Sequence, residues 1–323
     1  MPAQLGLGLA ALGRPGYVTL NHARDLGEDY NPDAMESHAH SVLDAAYKAG
    51  VRYVDAARSY GKAEDFVASW LKRRQLDRTQ ITIASKWGYT YTAGWSTSAA
   101  QHEIKDHSLA TFTRQLEETL QRLDGFVSIY QIHSVTAESK TLDDDALIDA
   151  IALLKEEKGI AAGLTVSGAG QAAAIRKSVE VERDGVRVFD TVQATWNLLE
   201  RGAESALSDA YDAGMTVIIK EALANGRLVH GNEAVTAALG PALSEIRKLA
   251  DNRGVMIDTL ALSAALNRPW ANYVLSGAAT IGQIVANAAA RELTYDADLD
   301  AELRDFSVSS DDYWRARSGF KWN

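Results

Sequence analysis

Cysteine is absent from the 323 residues, which excludes disulfides and thiolate metal sites. Basic residues are in the minority: 33 Lys and Arg stand against 43 Asp and Glu, for a formal net charge of -10. That balance speaks against nucleic acid or an anionic membrane as partner, since both recruit clustered cations. No apolar run approaches the roughly 18 residues that a membrane-spanning helix needs. The N-terminus lacks a basic stretch followed by an apolar one, the pattern of a secretory leader. No Pro/Ser-rich linker, low-complexity tract or composition shift divides the chain. A cytoplasmic protein is the default expectation.

What is present is ordinary core-forming material, 46% hydrophobic and 24% charged. Eight short apolar runs read as strands: 5–9, 51–55, 81–85, 128–133, 163–167, 191–194, 216–220 and 273–276. Their near-continuous apolar character fits strands buried on both faces. Helical patterns alternate with them. Leu109, Phe112, Leu116, Leu120 and Leu123 recur at helical spacing and stop at Gly125; Leu147, Ile148, Ile151 and Leu154 follow three aspartates (Asp143, Asp144, Asp145) and stop at Gly159. Eight strands, most followed by a helix, predict an α/β (β/α)₈ TIM barrel. Two stretches break the rhythm: an insertion at 87–106 after the third strand, and 225–269 after the seventh. Loops that long in a compact domain are more often functional than idle. The last twenty or so residues carry Tyr313, Trp314, Phe320 and Trp322, so they are expected to fold over the barrel mouth.

In such barrels the site is built at the C-terminal ends of the strands. Asp55, Lys86 and His133 each stand where an apolar run ends, and Tyr60 follows Asp55 by five residues. An acid, an ammonium, an imidazole and a phenol suit proton transfer to a carbonyl oxygen. A free phenol titrates near 10; a neighbouring ammonium lowers that value, and a carboxylate keeps the ammonium charged. The plainer alternative is a buried Asp–Lys pair, a packed Tyr and a core His. Gly6 and Gly8 are too closely spaced for a dinucleotide-binding glycine loop and read as part of the first strand. His38 and His40 lie two apart on a helix, so their rings diverge and no metal site is expected.

Asp55-Ala-Ala-Arg-Ser-Tyr60-Gly61, Ser85-Lys86-Trp-Gly and Gln131-Ile-His133 resemble the catalytic motifs of the aldo-keto reductases, in order and spacing, over nearly the whole chain. The resemblance implies one barrel domain over 1–323. It also implies a nicotinamide-dependent carbonyl reductase or alcohol dehydrogenase with Tyr60 as acid/base, Asp55 and Lys86 supporting it, and His133 positioning the carbonyl.

The remaining cofactor contacts follow from the same resemblance. Leu164-Thr-Val-Ser167-Gly168 is similar to the segment whose Ser and Asn hold the carboxamide, with Gly168 in place of the Asn. Gln193 matches the glutamine that binds the carboxamide, and Trp196 the aromatic that stacks on the ring. Without the resemblance, Gln193 reads as a strand cap and Trp196 as core. Leu223, Asn225 and Gly226 lie in the loop that wraps the diphosphate, where Glu221-Ala222 replaces the usual Ser-Pro. A glutamate there repels the diphosphate unless it points away or meets a cation. Gly277, Thr280, Gln283 and Asn287 match the adenosine end, with Asp55 also counted among the cofactor residues. NADP(H) is the family default; NAD(H) stays open because Ala279 stands where a cation usually meets the 2′-phosphate, and no basic residue follows until Arg291. Leu12, Arg14, Trp87, Tyr89 and Trp95 are expected to wall the substrate, with Arg58 a further strand-end cation.

The expected partner is therefore a small carbonyl or alcohol, and no oligomeric state follows. Two rival readings remain: a redox-sensing regulatory subunit that binds a nicotinamide with little turnover, and a Schiff-base aldolase acting through Lys86.

Overall fold

Eight parallel strands close on one another in chain order in a computed structural model that describes residues 2–27, 29–123, 125–232 and 238–322. They are β1 (Gln4–Gly8), β2 (Tyr53–Asp55), β3 (Thr82–Trp87), β4 (Val127–Val135), β5 (Ala161–Val166), β6 (Thr191–Thr195), β7 (Thr216–Lys220) and β8 (Tyr273–Ser276). Each is followed by a helix: α1 (Pro32–Lys48), α2 (Ala63–Arg74), α3 (Leu109–Leu123), α4 (Asp145–Lys158), α5 (Gln171–Val179), α6 (Glu204–Asp212), α7 (Ile257–Leu266) and α8 (Ile281–Ala289). This is the expected (β/α)₈ barrel. Local chemistry sets several boundaries. Asp144 caps α4 by accepting from the Leu147 amide, and Gly159 ends it at φ 62. Asn31 caps α1, where Pro32 fills the first helical position.

Strand alternation divides the side chains into two cores. Outward residues such as Val54, Ile83, Leu164, Val192 and Ile219 pack beneath the helices. Inward residues Tyr53, Ala84, Ile129, Ile218 and Leu275 fill a separate apolar layer inside the barrel. Two residues further along the same faces come Asp55, Lys86, Gln131 and Lys220. Parity therefore stacks a polar layer on an apolar floor. The register agrees: Asp55 sits opposite Ala84, Lys86 opposite Gln131, and Thr195 opposite Lys220.

The long connections are more ordered than loops. The insertion after β3 contains an antiparallel hairpin, Tyr89–Tyr91 with Glu103–Lys105. The stretch after β7 carries a short turn at Ala224–Gly226 and a helix at Gly240–Asn252, while 233–237 lie outside the described residues. A C-terminal helix, Ser310–Ser318, buries Tyr313 and brings Phe320 and Trp322 to the mouth. No helix among the described residues is long and apolar enough to cross a membrane.

Candidate active site

At the C-terminal end of the barrel lies a cavity of about 590 Å³, within the range of small-molecule sites. The Lys86 ammonium donates to Asp55 Oδ2 and, at 2.9 Å, to the Ala56 carbonyl. The other Asp55 oxygen accepts from the Gln131 and Gln193 side-chain amides at 3.2 and 3.1 Å. This anchors Asp55 from three strands.

Tyr60 reaches the same point from the loop after β2. That loop is pinned by a close approach of two backbones: a Cβ on Gly13 would lie 2.3 Å from the Tyr60 carbonyl, and one on Gly61, at φ +59, 2.5 Å from the Gly13 carbonyl. The Tyr60 hydroxyl stands 3.5 Å from His133 Nε2, and Ser59 Oγ lies 3.4 Å from Nδ1 of the same ring. The Lys86 ammonium is 4.8 Å from the centre of the Tyr60 ring. Its hydrogen bonds go to Asp55 and Ala56, not to the phenol. The expected lowering of the phenol by Lys86 is therefore not what this arrangement produces. Burial, with Asp55 adding to it, pushes Tyr60 well up, and Arg14 only partly opposes. Tyr60 is held as the neutral phenol. Burial, reinforced by Lys86 and Lys220, pushes His133 down, so its ring is neutral near pH 7.

Of the remaining expected residues, Arg14, Gln193, Leu223, Asn225, Gly226, Gly277, Gln283 and Asn287 line the cavity with Asp55, Tyr60 and His133. Arg14 donates to Glu103 Oε2 at 2.9 Å and to the Ser59 carbonyl at 2.8 Å. Others lie elsewhere. Trp87 belongs to β3 itself, and alternation turns it away from the Lys86 face into the helix layer, against Phe112. Trp196 is turned outward from β6 by the same rule and packs on Trp270, so the core alternative describes it. Leu12 is buried off the cavity wall. Trp95 spends its indole N–H on the Tyr30 carbonyl. Tyr89 backs His133 edge-on at 5.0 Å instead of lining the wall. Ser167 is not in the lining; Thr165 is, two residues earlier. Thr280 caps α8 by accepting from the Gln283 amide. Arg58 is tied to Glu64 and Glu118, away from the cavity. Among the described residues no cluster of His, Asp or Glu could hold a metal; His38 meets the Ala279 carbonyl and His40 the Phe66 carbonyl.

Several lining residues escaped the sequence. Residues 17–22 with Arg24 and Asp25, from the connection between β1 and α1, form one wall. Arg317, from the C-terminal helix, pairs with Glu221 at 3.0 Å, so the glutamate does meet a cation. Burial alone would raise the Glu221 carboxyl, but Arg317 and Lys220 outweigh it and hold it at about 2. The loop beginning at Glu221 bends sharply: Glu221, Ala224 and Asn225 all have positive φ, a strain that concentrates at functional sites. In the sequence Lys220 stands only as the end of the seventh apolar run. Its parity with Ile218 was the available signal.

The cavity wall combines small and polar residues. Small residues Gly277, Ala278, Ala279, Gly282 and Ala286 leave room at one end, and polar Gln193 and Asn225 line it elsewhere. These residues fit a dinucleotide.

A phenol, an imidazole and a buried Asp–Lys pair thus gather at the strand ends of a parallel barrel beside one cavity. Residues 4–307 match the model of the Aldo/keto reductase family. The chain belongs to that family of carbonyl/alcohol oxidoreductases. It is 22% identical over 303 residues to the uncharacterized oxidoreductase YrpG of Bacillus subtilis, covering 86% of this chain and 89% of that one. It is 27% identical over 198 residues to a probable aryl-alcohol dehydrogenase, AAD4, of Saccharomyces cerevisiae, covering 59% and 58%. Among solved structures, the holo form of aldo-keto reductase AKR11C1 from Bacillus halodurans superimposes with a TM-score of 0.73 at 22% identity, covering 95% of this chain and 93% of that one.

Proposed function

We propose that the protein is an NAD(P)-dependent oxidoreductase that interconverts a carbonyl and an alcohol, with Tyr60 moving the proton. The observation that carries this is the meeting of the Tyr60 hydroxyl and His133 Nε2 on the cavity wall with Asp55, whose carboxylate is paired with the buried Lys86 behind it.

When bound, the nicotinamide supplies or accepts the hydride. The chain does the rest. Neutral Tyr60 gives its proton to the carbonyl oxygen as negative charge develops there. Neutral His133 orients that oxygen, with Ser59 and Tyr89 fixing the ring. The Lys86 charge, held by Asp55, lies close enough to stabilise the developing anion without being consumed, the preorganised electrostatics that such a step needs. The same fixed partners argue against Lys86 as a Schiff-base nucleophile, since its ammonium is engaged by Asp55 and Ala56. Gln193, the β7 loop and the α8 N-terminus would hold the dinucleotide, the last offering free N–H groups to a phosphate.

The adenosine end favours NAD(H). Gln283 donates to Asp25 Oδ2 at 2.7 Å, so a carboxylate stands among the residues that match the adenosine end, and a 2′-phosphate held there would meet like charge. Arg24 also lines this end, but it projects largely into solvent, where its charge is screened. For the substrate, Tyr17, Phe320 and Trp322 line the mouth, in keeping with relatives named as aryl-alcohol dehydrogenases. The test is a panel of aryl and alkyl aldehydes, sugars and ketones, run with NADH and with NADPH, following loss of the reduced cofactor. Turnover of at least one carbonyl supports the reading. Tight binding of cofactor with no turnover across the panel favours the redox-sensor alternative.

A further inference from the structure

One charge at the barrel end is left over. Around the Tyr60 end of the cavity, each carboxylate has its own cation: Asp55 has Lys86, Glu103 has Arg14 at 2.9 Å, and Glu221 has Arg317 at 3.0 Å. Lys220 lines the same cavity and is the fourth cation there. Among the described residues no hydrogen bond or ion pair engages its ammonium. It occupies the inward face of β7, two residues beyond Ile218 in the apolar floor, at the level where Asp55 and Lys86 stand on theirs. The groups facing it are Glu221 and Arg317 beside it, and Lys86 and Asp55 across the barrel. Since three of the four cations are neutralised, the field at this end is net positive.

Hydride transfer changes the charge of one ring. A reduced nicotinamide is neutral; when its hydride leaves with two electrons for the carbonyl carbon, the ring becomes a cation. The proton from Tyr60 completes the alcohol. Hydride transfer must occur within reach of Tyr60 and His133, and His133 already feels Lys220.

We propose that Lys220 sets the redox preference of the bound dinucleotide: its charge, in excess of the carboxylates around it, leaves the reduced form tightly held and weakens the grip on the oxidised form. This rests on the dinucleotide reading given above. Like charges several ångströms apart in a partly solvated protein site repel enough to change affinity by roughly tenfold or more. The device favours loading of reduced cofactor and release of oxidised cofactor. It therefore suits an enzyme that reduces carbonyls.

The test measures dissociation constants for NADH, NAD⁺, NADPH and NADP⁺ by tryptophan fluorescence, without substrate, on the full chain. The proteins are wild type, Lys220→Met and Lys220→Arg. The wild type should bind the reduced form at least about tenfold more tightly than the oxidised form. In Lys220→Met that ratio should collapse, chiefly because the oxidised form binds better; Lys220→Arg should keep it. Should the Met variant fail to fold, the pH dependence of the wild-type ratio decides alone. Burial sets the Lys220 ammonium at about 8, so raising the pH through that value should shrink the ratio as the charge is lost. A ratio unmoved both by the Met substitution and by this titration overturns the role of Lys220. A wild type that binds none of the four dinucleotides overturns the dinucleotide reading as well.

Discussion

Lys86→Met removes one half of the ion pair on which the site is built. The two side chains are 1% and 3% exposed, so water cannot compensate either charge. After substitution, the Asp55 carboxylate keeps two amide donors, Gln131 and Gln193, but loses the cation paired with it. Removing one partner of a buried pair costs about 3–5 kcal/mol. The two surviving amides and the volume match of Met place the expected loss near the lower end, at about 3 kcal/mol. Asp55→Asn leaves the ammonium with the Ala56 carbonyl and a neutral amide, at a similar cost. The double variant has no charge left to strand, so its loss should fall short of the sum of the singles by about 2 kcal/mol or more. Urea denaturation of all four proteins, with the slope unchanged, measures this cycle. Additivity within about 0.5 kcal/mol would mean the two charges are not coupled, and the electrostatic account of the site would fail with it.

Glu221→Gln should flatten the acid limb of stability. The wild-type carboxyl is held at about 2, below its unfolded value near 4.5, so its contribution is complete above about 4.5 and is lost as the pH falls towards 2. Its size is on the order of 3 kcal/mol, read as the difference between wild-type and variant denaturation curves across that window. Trp87→Ala should cost about 3–5 kcal/mol of stability while leaving the KM for carbonyl substrates unchanged, because its ring packs on Phe112 and not on the cavity. A raised KM with unchanged stability would restore it to the substrate wall. Ala279→Arg should tighten NADPH relative to NADH in a direct binding assay, by adding a forked cation on the cavity wall beside the solvent-exposed Arg24. A pH profile of kcat should show no inflection near the ordinary histidine value of about 6.5, because His133 is already neutral there; an inflection abolished by His133→Asn would contradict that.

The barrel was legible because its strands are buried on both faces, and such strands read as apolar runs with polar residues only where they end. Asp55, Lys86 and His133 announced themselves that way. Trp87 and Trp196 were misread for one reason. Each directly follows or ends a strand, and which way it points depends on where the alternation stops, which a run of apolar letters does not mark. The wall formed by residues 17–22 with Arg24 and Asp25, and the cation at Arg317, were invisible for a different reason. Gln283 meets Asp25 across 258 positions and Glu221 meets Arg317 across 96, and no local pattern encodes such pairings. The resemblance did allow one conditional statement, that Glu221 must point away from the diphosphate or meet a cation, and Arg317 pairs with it.

The most direct test of the central claim is a single turnover with reduced dinucleotide deuterated at nicotinamide C4, comparing wild type with Tyr60→Phe. The wild type should place deuterium on the carbonyl carbon of an aldehyde that it accepts. The variant should bind the dinucleotide with wild-type affinity and transfer nothing. Transfer at the wild-type rate by Tyr60→Phe, or loss of dinucleotide binding along with activity, would contradict the assignment of Tyr60 as the proton donor.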